Sequence, residues 1–174
     1  NAMIHLAQSD ERCQCNHAEL DGHPHLLNCE NGTLDLRSGE IMPHDPQHKI
    51  TQLAPVVFDP DAQCQKWLDA MSLIFADDQE LVRYVQAIMG YCLSGDVGEH
   101  ILPIAVGSGA NGKSTVWHVL LSILGPDYAM LANESLLLGE HESHPTDKAA
   151  LHGKRFVPIS EPEKGSKLRE SRVK

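Results

Sequence analysis

Residues 101–124 read ILPIAVGSGANGKSTVWHVLLSIL, and this stretch decides the predicted fold of the chain. Its central part, GSGANGKS at 107–114, satisfies GxxxxGK[ST], the phosphate-binding loop of nucleoside triphosphatases. The apolar run Ile101–Val106 has the length of a buried strand, although a proline interrupts it. After the loop, apolar residues recur at helical spacing as far as Leu124, and Gly125-Pro126 predicts the end of the helix. Strand, glycine loop and helix therefore follow in the order that the motif requires.

The residue types of the loop match the chemistry of phosphate binding. Glycines adopt backbone conformations closed to other residues, so successive N–H groups can converge on phosphate oxygens. The helix that follows adds the positive end of its dipole. Lys113 is predicted to reach the β- and γ-phosphates, and the Ser114 hydroxyl to complete a Mg²⁺ shell. A glycine-rich turn that binds nothing would need neither the strand nor the helix. The predicted ligands are ATP or ADP with Mg²⁺, bound by Gly107, Ser108, Gly109, Ala110, Asn111, Gly112, Lys113, Ser114 and Thr115.

A second segment, Lys154–Glu163, supplies a candidate acid. Its apolar part predicts a strand that ends in a carboxylate, and neighbouring parallel strands open onto the same edge of a sheet. An acid placed there can reach the metal or its water. Many strands end in Glu, but this one follows the loop by about fifty residues, as in phosphate-binding folds. We predict Glu161 as a catalytic acid and Mg²⁺ ligand, with Glu163 as the second candidate.

Upstream of the loop the pattern predicts a β-meander and two amphipathic helices. The strands LLNC, TLDLR and IMPH are separated by turns at Glu30-Asn31-Gly32 and Ser38-Gly39-Glu40, and Asn-Gly is a strong hairpin signal. The first helix is expected from near Asp61 to Asp77-Asp78, and the second ends at Ser94-Gly95. We read both apolar stripes as core.

The predicted domain boundary lies in the polar link at residues 95–99. A small α+β domain is expected at 26–97 and a P-loop ATPase domain at 98–174. Residues 1–25 are read as an expression scar, Asn1-Ala2, followed by a polar, loosely ordered arm. The arm contains the spacing Cys13-x-Cys15-x-His17, which differs from the C-x₂₋₄-C spacing of zinc sites, so we do not assign a metal there.

Composition excludes several classes of protein. The sequence has no apolar run near the roughly 20 residues that span a bilayer, and no signal peptide is visible. Five cysteines in 174 residues favour a reducing, cytoplasmic location over a disulfide framework. The net charge of −10 argues against general nucleic-acid binding. However, 8 of the 14 basic residues lie in 148–174, so a local contact with nucleic acid stays open.

The chain resembles the phage and plasmid primase–helicase family, which includes the satellite-phage primases and is similar to the poxvirus primase–helicase. The resemblance covers about residues 19–174. Its most specific parts are NGTLDLRSGE at 31–40, GYCLSGD at 90–96 and GKST at 112–115.

The resemblance implies a small domain ahead of a superfamily 3 helicase motor with an AAA+-like P-loop fold. Such motors form rings, usually hexameric, and move along single-stranded DNA using ATP. Lys113 and Ser114 fall in the Walker A motif of the family, and Glu161 falls where its Walker B acid lies. Members continue into a sensor strand and an arginine that reaches the neighbouring subunit's nucleotide. We therefore expect a C-terminally truncated motor without the primase domain that often precedes it, weakly active or inactive alone.

Two other classes of function stay open. A P-loop small-molecule kinase shares the phosphate loop, although no lid or acceptor pocket is visible. A nucleotide-binding or subunit-interaction module without turnover is a more serious alternative than the kinase. A GTPase is disfavoured because neither Asp-x-x-Gly nor Asn-Lys-x-Asp follows the loop.

Overall fold

A computed structural model describes residues 2–10, 14–107, 109, 111–136 and 149–159. Within them, a small α+β arrangement combines a three-stranded antiparallel sheet with four helices. The elements are α1 (Ala2–Ser9), β1 (Leu26–Cys29), β2 (Gly32–Asp35), β3 (Ile41–Met42), α2 (Gln65–Ile74), α3 (Gln79–Leu93) and α4 (Lys113–Tyr128). Helix α1 differs from the expected loosely ordered arm: its alanines, Met3, Leu6 and Gln8 are good helix formers.

The predicted β-meander is confirmed. The strands lie in the order β1-β2-β3, and the β1–β2 register pairs Asn28 with Thr33 and Cys29 with Gly32. The first turn differs in detail from the prediction. Its two loop residues are Glu30 and Asn31, and Gly32, with φ of 155°, begins β2. A Cβ on Gly32 would lie 2.5 Å from the Met42 carbonyl oxygen, so glycine is required by close packing of β3.

The two predicted helices upstream of the loop are also confirmed, with one shifted boundary. Helix α2 begins at Gln65 instead of near Asp61. Asp78 caps α3 because its carboxylate accepts hydrogen bonds from the N–H groups of Glu80 and Leu81, at 3.1 and 3.0 Å. Helix α3 ends at Leu93 with Ser94 as its C-cap, as expected.

Helix α4 follows the glycine loop, as the motif predicts. Val116, Leu120, Leu124 and Tyr128 recur every four residues, and each is at most 2% exposed. Gly125, with φ of 65°, interrupts the helical backbone, and one further turn leads to Tyr128. A Cβ at Gly125 would collide with the ring of Pro55. The predicted helix end at Gly125 is therefore a kink, enforced by packing against the segment that follows β3.

The chain after α4 runs parallel to residues 156–159. Isolated parallel bridges join Ala129 to Phe156 and Ala132 to Ile159, and the Ala132 N–H donates to the Pro158 carbonyl at 3.0 Å. The strand predicted in Lys154–Glu163 is thus present as two bridges, since Pro158 has no N–H for a continuous ladder. A third parallel bridge joins Cys29 to Ala54 and covers the outer edge of β1.

The strand predicted at Ile101–Val106 is wrong in this structure. Residues 101–107 have no regular secondary structure, and Ile104 and Val106 are 68% and 87% exposed. No described segment forms a bridge with this run. A strand is stable when neighbouring strands pair its N–H and C=O groups, and Pro103 lacks one of those donors. Apolar composition alone therefore does not make this run a strand.

Two hydrophobic clusters hold the described residues together. The larger cluster joins the sheet to α4: Leu27, Cys29, Leu34, Ala54, Leu120, Leu124, Tyr128, Ala129 and Phe156. The smaller cluster joins α2 and α3 to the start of α4: Met71, Val82, Val85 and Val116. Both draw residues from either side of the boundary proposed at 97/98, which stays a prediction.

None of the helices that the structure describes is long and apolar enough to cross a bilayer. The four cysteines among the described residues, Cys15, Cys29, Cys64 and Cys92, are free thiols.

Candidate functional site

Two of the three glycines in the predicted phosphate loop have left-handed backbone. Gly109 and Gly112 have φ of 85° and 79°, in the left-handed region that side chains disfavour. Gly112 is the N-cap of α4, and the helix begins at Lys113. Ser108 and Ala110 lie outside the described residues. Glycine therefore occupies the two described positions of the loop that have left-handed backbone.

Lys113 folds back over the loop. Its Nζ donates a hydrogen bond of 2.8 Å to Oδ1 of Asn111. A Cβ on Gly107 would lie 2.9 Å from that Nζ and would collide with the Asn111 amide nitrogen. The absence of a side chain at Gly107 thus lets the Asn111 amide and the Lys113 ammonium pack against the backbone of the loop. Among the described residues Lys113 forms no ion pair, so its charge is available to an anion.

The first turn of α4 presents backbone donors at the same point. The first intrahelical bond runs from the Val116 N–H to the Gly112 carbonyl at 3.2 Å. The N–H groups of residues 113–115 precede it and have no acceptor within the helix. Ser114 and Thr115 are exposed, and Gly112 supplies no side-chain cap. The first turn of α4 therefore carries a cation, N–H groups without an intrahelical acceptor and the positive end of the helix dipole, which are the features that an anion site uses.

The end of α2 supports the loop from behind. A Cβ on Gly112 would lie 2.5 Å from Cγ1 and 2.8 Å from Cδ1 of Ile74, so the isoleucine occupies the space beside the Gly112 α-carbon. Val116, one turn into α4, is buried against α2 and α3. Ile74 belongs to the apolar stripe of the first predicted helix, which is read as core; the sequence does not signal its contact with Gly112, because 38 positions separate the two residues.

The predicted acids cannot be placed. Glu161 and Glu163 lie outside the described residues, which reach Ile159 in this segment. Among the described residues, no group of three or more His, Cys, Asp and Glu side chains could hold a metal ion. The Ser114 hydroxyl is the predicted Mg²⁺ ligand that the structure describes, at the exposed first turn of α4.

Arg155 is a further conspicuous residue that the sequence did not single out. Its guanidinium lies 4.6 Å from the centre of the Tyr128 ring and donates to the carbonyls of Leu93 and Leu26, each at 2.7 Å. Burial lowers the pKa of Arg155. Since Leu93 ends α3, the cation also satisfies the negative end of that helix. Its described contacts are structural: it ties α3, β1 and α4 together.

A cleft of about 320 Å³ lies beside Arg155, apart from the phosphate loop. Its lining includes Tyr91 from α3, Asp96, and His100 from the link ahead of the loop. The described residues among 107–115 do not line it. The cleft is therefore separate from the described part of the predicted phosphate site.

Comparisons with known proteins agree with the resemblance at a coarser level. Residues 1–76 match the family model described as "D5 N terminal like". A protein of Acanthamoeba polyphaga mimivirus named "Putative helicase" is 28% identical over 156 residues, which cover 86% of this chain and 16% of that protein.

African swine fever virus proteins named "Putative primase" are similarly related. Those of the Tick/Malawi and Warthog/Namibia isolates are 27% and 28% identical over 165 residues, 89% of this chain and 17% of each relative. The chain is distantly similar to viral primases and helicases. It spans about one sixth of the length of these relatives.

Proposed function

We propose that this chain binds Mg-ATP through the loop at 107–115 and contributes this site to a primase–helicase-type ATPase. The observation that carries the proposal is the arrangement at the start of α4. Gly109 and Gly112 have left-handed backbone, the Lys113 ammonium bonds to Asn111 of the loop, and the first-turn N–H groups have no acceptor within the helix. A chain of phosphates is the ligand that such a combination fits.

The assignment to a primase–helicase is supported by the relatives and by the match of residues 1–76. In this proposal ATP hydrolysis drives movement along single-stranded DNA, and subunits assemble into a ring, usually hexameric. The parallel bridges of residues 129–132 with 156–159 support a parallel α/β arrangement after α4. We propose that Ser114 binds Mg²⁺, and that Glu161, two residues beyond Ile159, binds the metal and activates the attacking water.

The test begins with nucleotide binding. Mg-ATP should raise the melting temperature of the wild-type chain, because a ligand that binds only the folded state stabilises it by about 2.7 kcal/mol at 100 times its Kd. Lys113→Ala should abolish this shift. Its melting temperature without ligand should stay close to wild type, because the described side-chain hydrogen bond of Lys113 is to Asn111 within the loop. Differential scanning calorimetry measures both quantities.

Lys66→Ala is the matched control. This lysine is exposed on α2, and its replacement makes the same change in net charge. It should bind Mg-ATP as the wild type does. A full ligand-induced shift in Lys113→Ala would show that the loop is not the binding site.

Phosphate release distinguishes the classes of function. Glu161→Gln should retain binding and lose steady-state hydrolysis, because the amide cannot accept the proton of the attacking water. Binding without hydrolysis in the wild type would favour a nucleotide-binding or subunit-interaction module. Phosphate transfer to a small acceptor would favour a kinase.

A further inference from the structure

We infer that Ile74, the last residue of α2, is a positioning residue that holds the phosphate loop in its binding conformation. Through this contact the α2–α3 pair sets the affinity for nucleotide. The inference rests on the proposed function of the loop. Ile74 is thus a further determinant of nucleotide affinity, and it lies 33 positions before Gly107, outside the phosphate-binding motif.

The geometry is a close contact between a side chain and the loop backbone. Ile74 Cγ1, Cδ1 and Cβ would lie 2.5, 2.8 and 3.6 Å from a Cβ built on Gly112. The isoleucine thus fills the place that any side chain at position 112 would take. Gly112 supplies the peptide that opens α4, so Ile74 fixes the direction from which the first-turn N–H groups face the ligand.

Ile74 is itself held firmly. It packs with Phe75 against the cluster formed by Met71, Val82, Val85 and Val116. Val116 belongs to the first turn of α4, so the same cluster fixes both the N-cap glycine and the turn that follows it. Two points of support, Gly112 and Val116, therefore bind the loop to the helix pair.

The connection from α2 to α3 directs Ile74 toward the loop. Ala76 and Asp77, at φ of 51° and 60°, are consecutive non-glycine residues in the left-handed region. The Asp77 N–H donates to the Ser72 carbonyl at 2.8 Å, and Asp78 caps α3. Such a conformation costs free energy and persists where surrounding contacts impose it. Here it ends α2 at the residue that touches Gly112.

The consequence for binding follows from pre-organisation. The hydrogen bond between Lys113 and Asn111 lies within the loop and does not anchor the loop to the rest of the molecule. Without Ile74, Gly112 can leave the conformation that aims the N–H groups. The apparent affinity then falls in proportion to the population that remains competent to bind.

Isothermal titration with Mg-ATP tests the inference. Ile74→Ala should raise the Kd by about tenfold, within the range of typical coupling between sites. Ile74→Val keeps Cγ1, the atom nearest Gly112, and removes only Cδ1, so it should retain most of the affinity. Leu73→Ala removes the adjacent side chain, which is 84% exposed, and should leave the Kd unchanged.

A double-mutant cycle tests the contact itself. Gly112→Ala should weaken binding strongly, because the new methyl group collides with Ile74 and the backbone is left-handed. In the Ile74→Ala background the same change should cost several-fold less affinity, since the collision is removed. An equal Kd for Ile74→Ala and Leu73→Ala, or equal losses on Gly112→Ala in both backgrounds, would overturn the inference while the proposed function stands. No binding of Mg-ATP by the wild type would overturn both.

Discussion

At the scale of single residues, Tyr128 connects α4 to β1, to the segment after β3 and to Arg155. Its side chain is 0% exposed, yet its hydroxyl is fully used. The hydroxyl accepts a hydrogen bond from the Asn28 N–H at 3.2 Å and donates one to the Gln52 carbonyl at 3.3 Å. The Arg155 guanidinium lies 4.6 Å from the centre of the ring. The buried hydroxyl finds both hydrogen-bond partners because β1 and the segment after β3 meet at the end of α4.

Tyr128→Phe should lower the free energy of unfolding by about 1–2 kcal/mol, because the Asn28 N–H and the Gln52 carbonyl lose their partner. It should also change the pH dependence. Burial raises the pKa of Tyr128 above its ordinary 10.0, so above pH 10 the unfolded chain loses this proton first and stability falls.

The Tyr128→Phe variant should lack the part of the alkaline fall in the free energy of unfolding that comes from this phenol. Urea unfolding between pH 8 and 11 measures the difference. The thiols of Cys29 and Cys92, whose pKa values burial also raises, contribute from about pH 9 in both proteins. Tyr84→Phe is the control, because this tyrosine is 60% exposed. Identical pH profiles for the wild type and Tyr128→Phe would show that the phenol is not protected.

At the scale of elements, the turn between α2 and α3 is a point of stored strain. Left-handed backbone costs a non-glycine residue roughly 1–2 kcal/mol, whereas glycine adopts it freely. Ala76 is exposed and has φ of 51°, so its methyl group contributes little packing.

Ala76→Gly should raise the free energy of unfolding by about 0.5–1 kcal/mol, since relief of the backbone strain exceeds the added entropy of the unfolded chain. Ala70→Gly, inside α2, should lower it by a similar amount. Chemical denaturation of the two variants measures the difference. Destabilisation by Ala76→Gly equal to that by Ala70→Gly would mean that the turn carries no strain.

At the scale of the whole molecule, the segment after β3 fastens α4 to the sheet. The Gln52 amide donates to the carbonyls of Asp127 and Gly153, at 3.0 and 2.9 Å. The Leu53 N–H donates to the Asp127 carboxylate at 3.0 Å. Together with the larger hydrophobic cluster, these bonds join parts of the chain about 75–100 positions apart.

We therefore expect one cooperative unfolding transition. Leu27→Ala in β1 and Leu124→Ala in α4 remove buried side chains of the same cluster, and each should lower the free energy of unfolding by about 2–5 kcal/mol. Far-UV circular dichroism and tryptophan fluorescence should give coincident curves for both variants. Two transitions, each moved by one variant alone, would instead support independent domains divided at residue 97.

The predictability of the elements depended on how local their signals were. The meander, both upstream helices and α4 were predicted because turn residues, caps and apolar periodicity act within a few residues. Gly32 was predicted in the β1–β2 turn but begins β2, since the need for glycine there comes from Met42 across the sheet. Helix α1 was not predicted, because its eight residues are too few to give a clear helical pattern and were assigned to a loosely ordered arm.

The candidate site divides in the same way. The glycines and Lys113 were identified from the sequence, because phosphate binding demands those residue types in one continuous loop. Ile74 and Arg155 gave no signal of their roles, since an isoleucine in an amphipathic helix reads as core and an arginine as surface. The function of each side chain here depends on a partner distant in the chain.

By itself, the sequence determined the order of the elements, the glycine loop and the helix that follows it. These features rest on backbone preferences and on periodic burial, which neighbouring residues set. Tertiary structure decided that Ile101–Val106 is not a strand, that Ile74 supports Gly112 and that Arg155 caps α3. Strand pairing and close side-chain contacts require partners from remote segments of the chain, and no local sequence pattern specifies which segments will pack together.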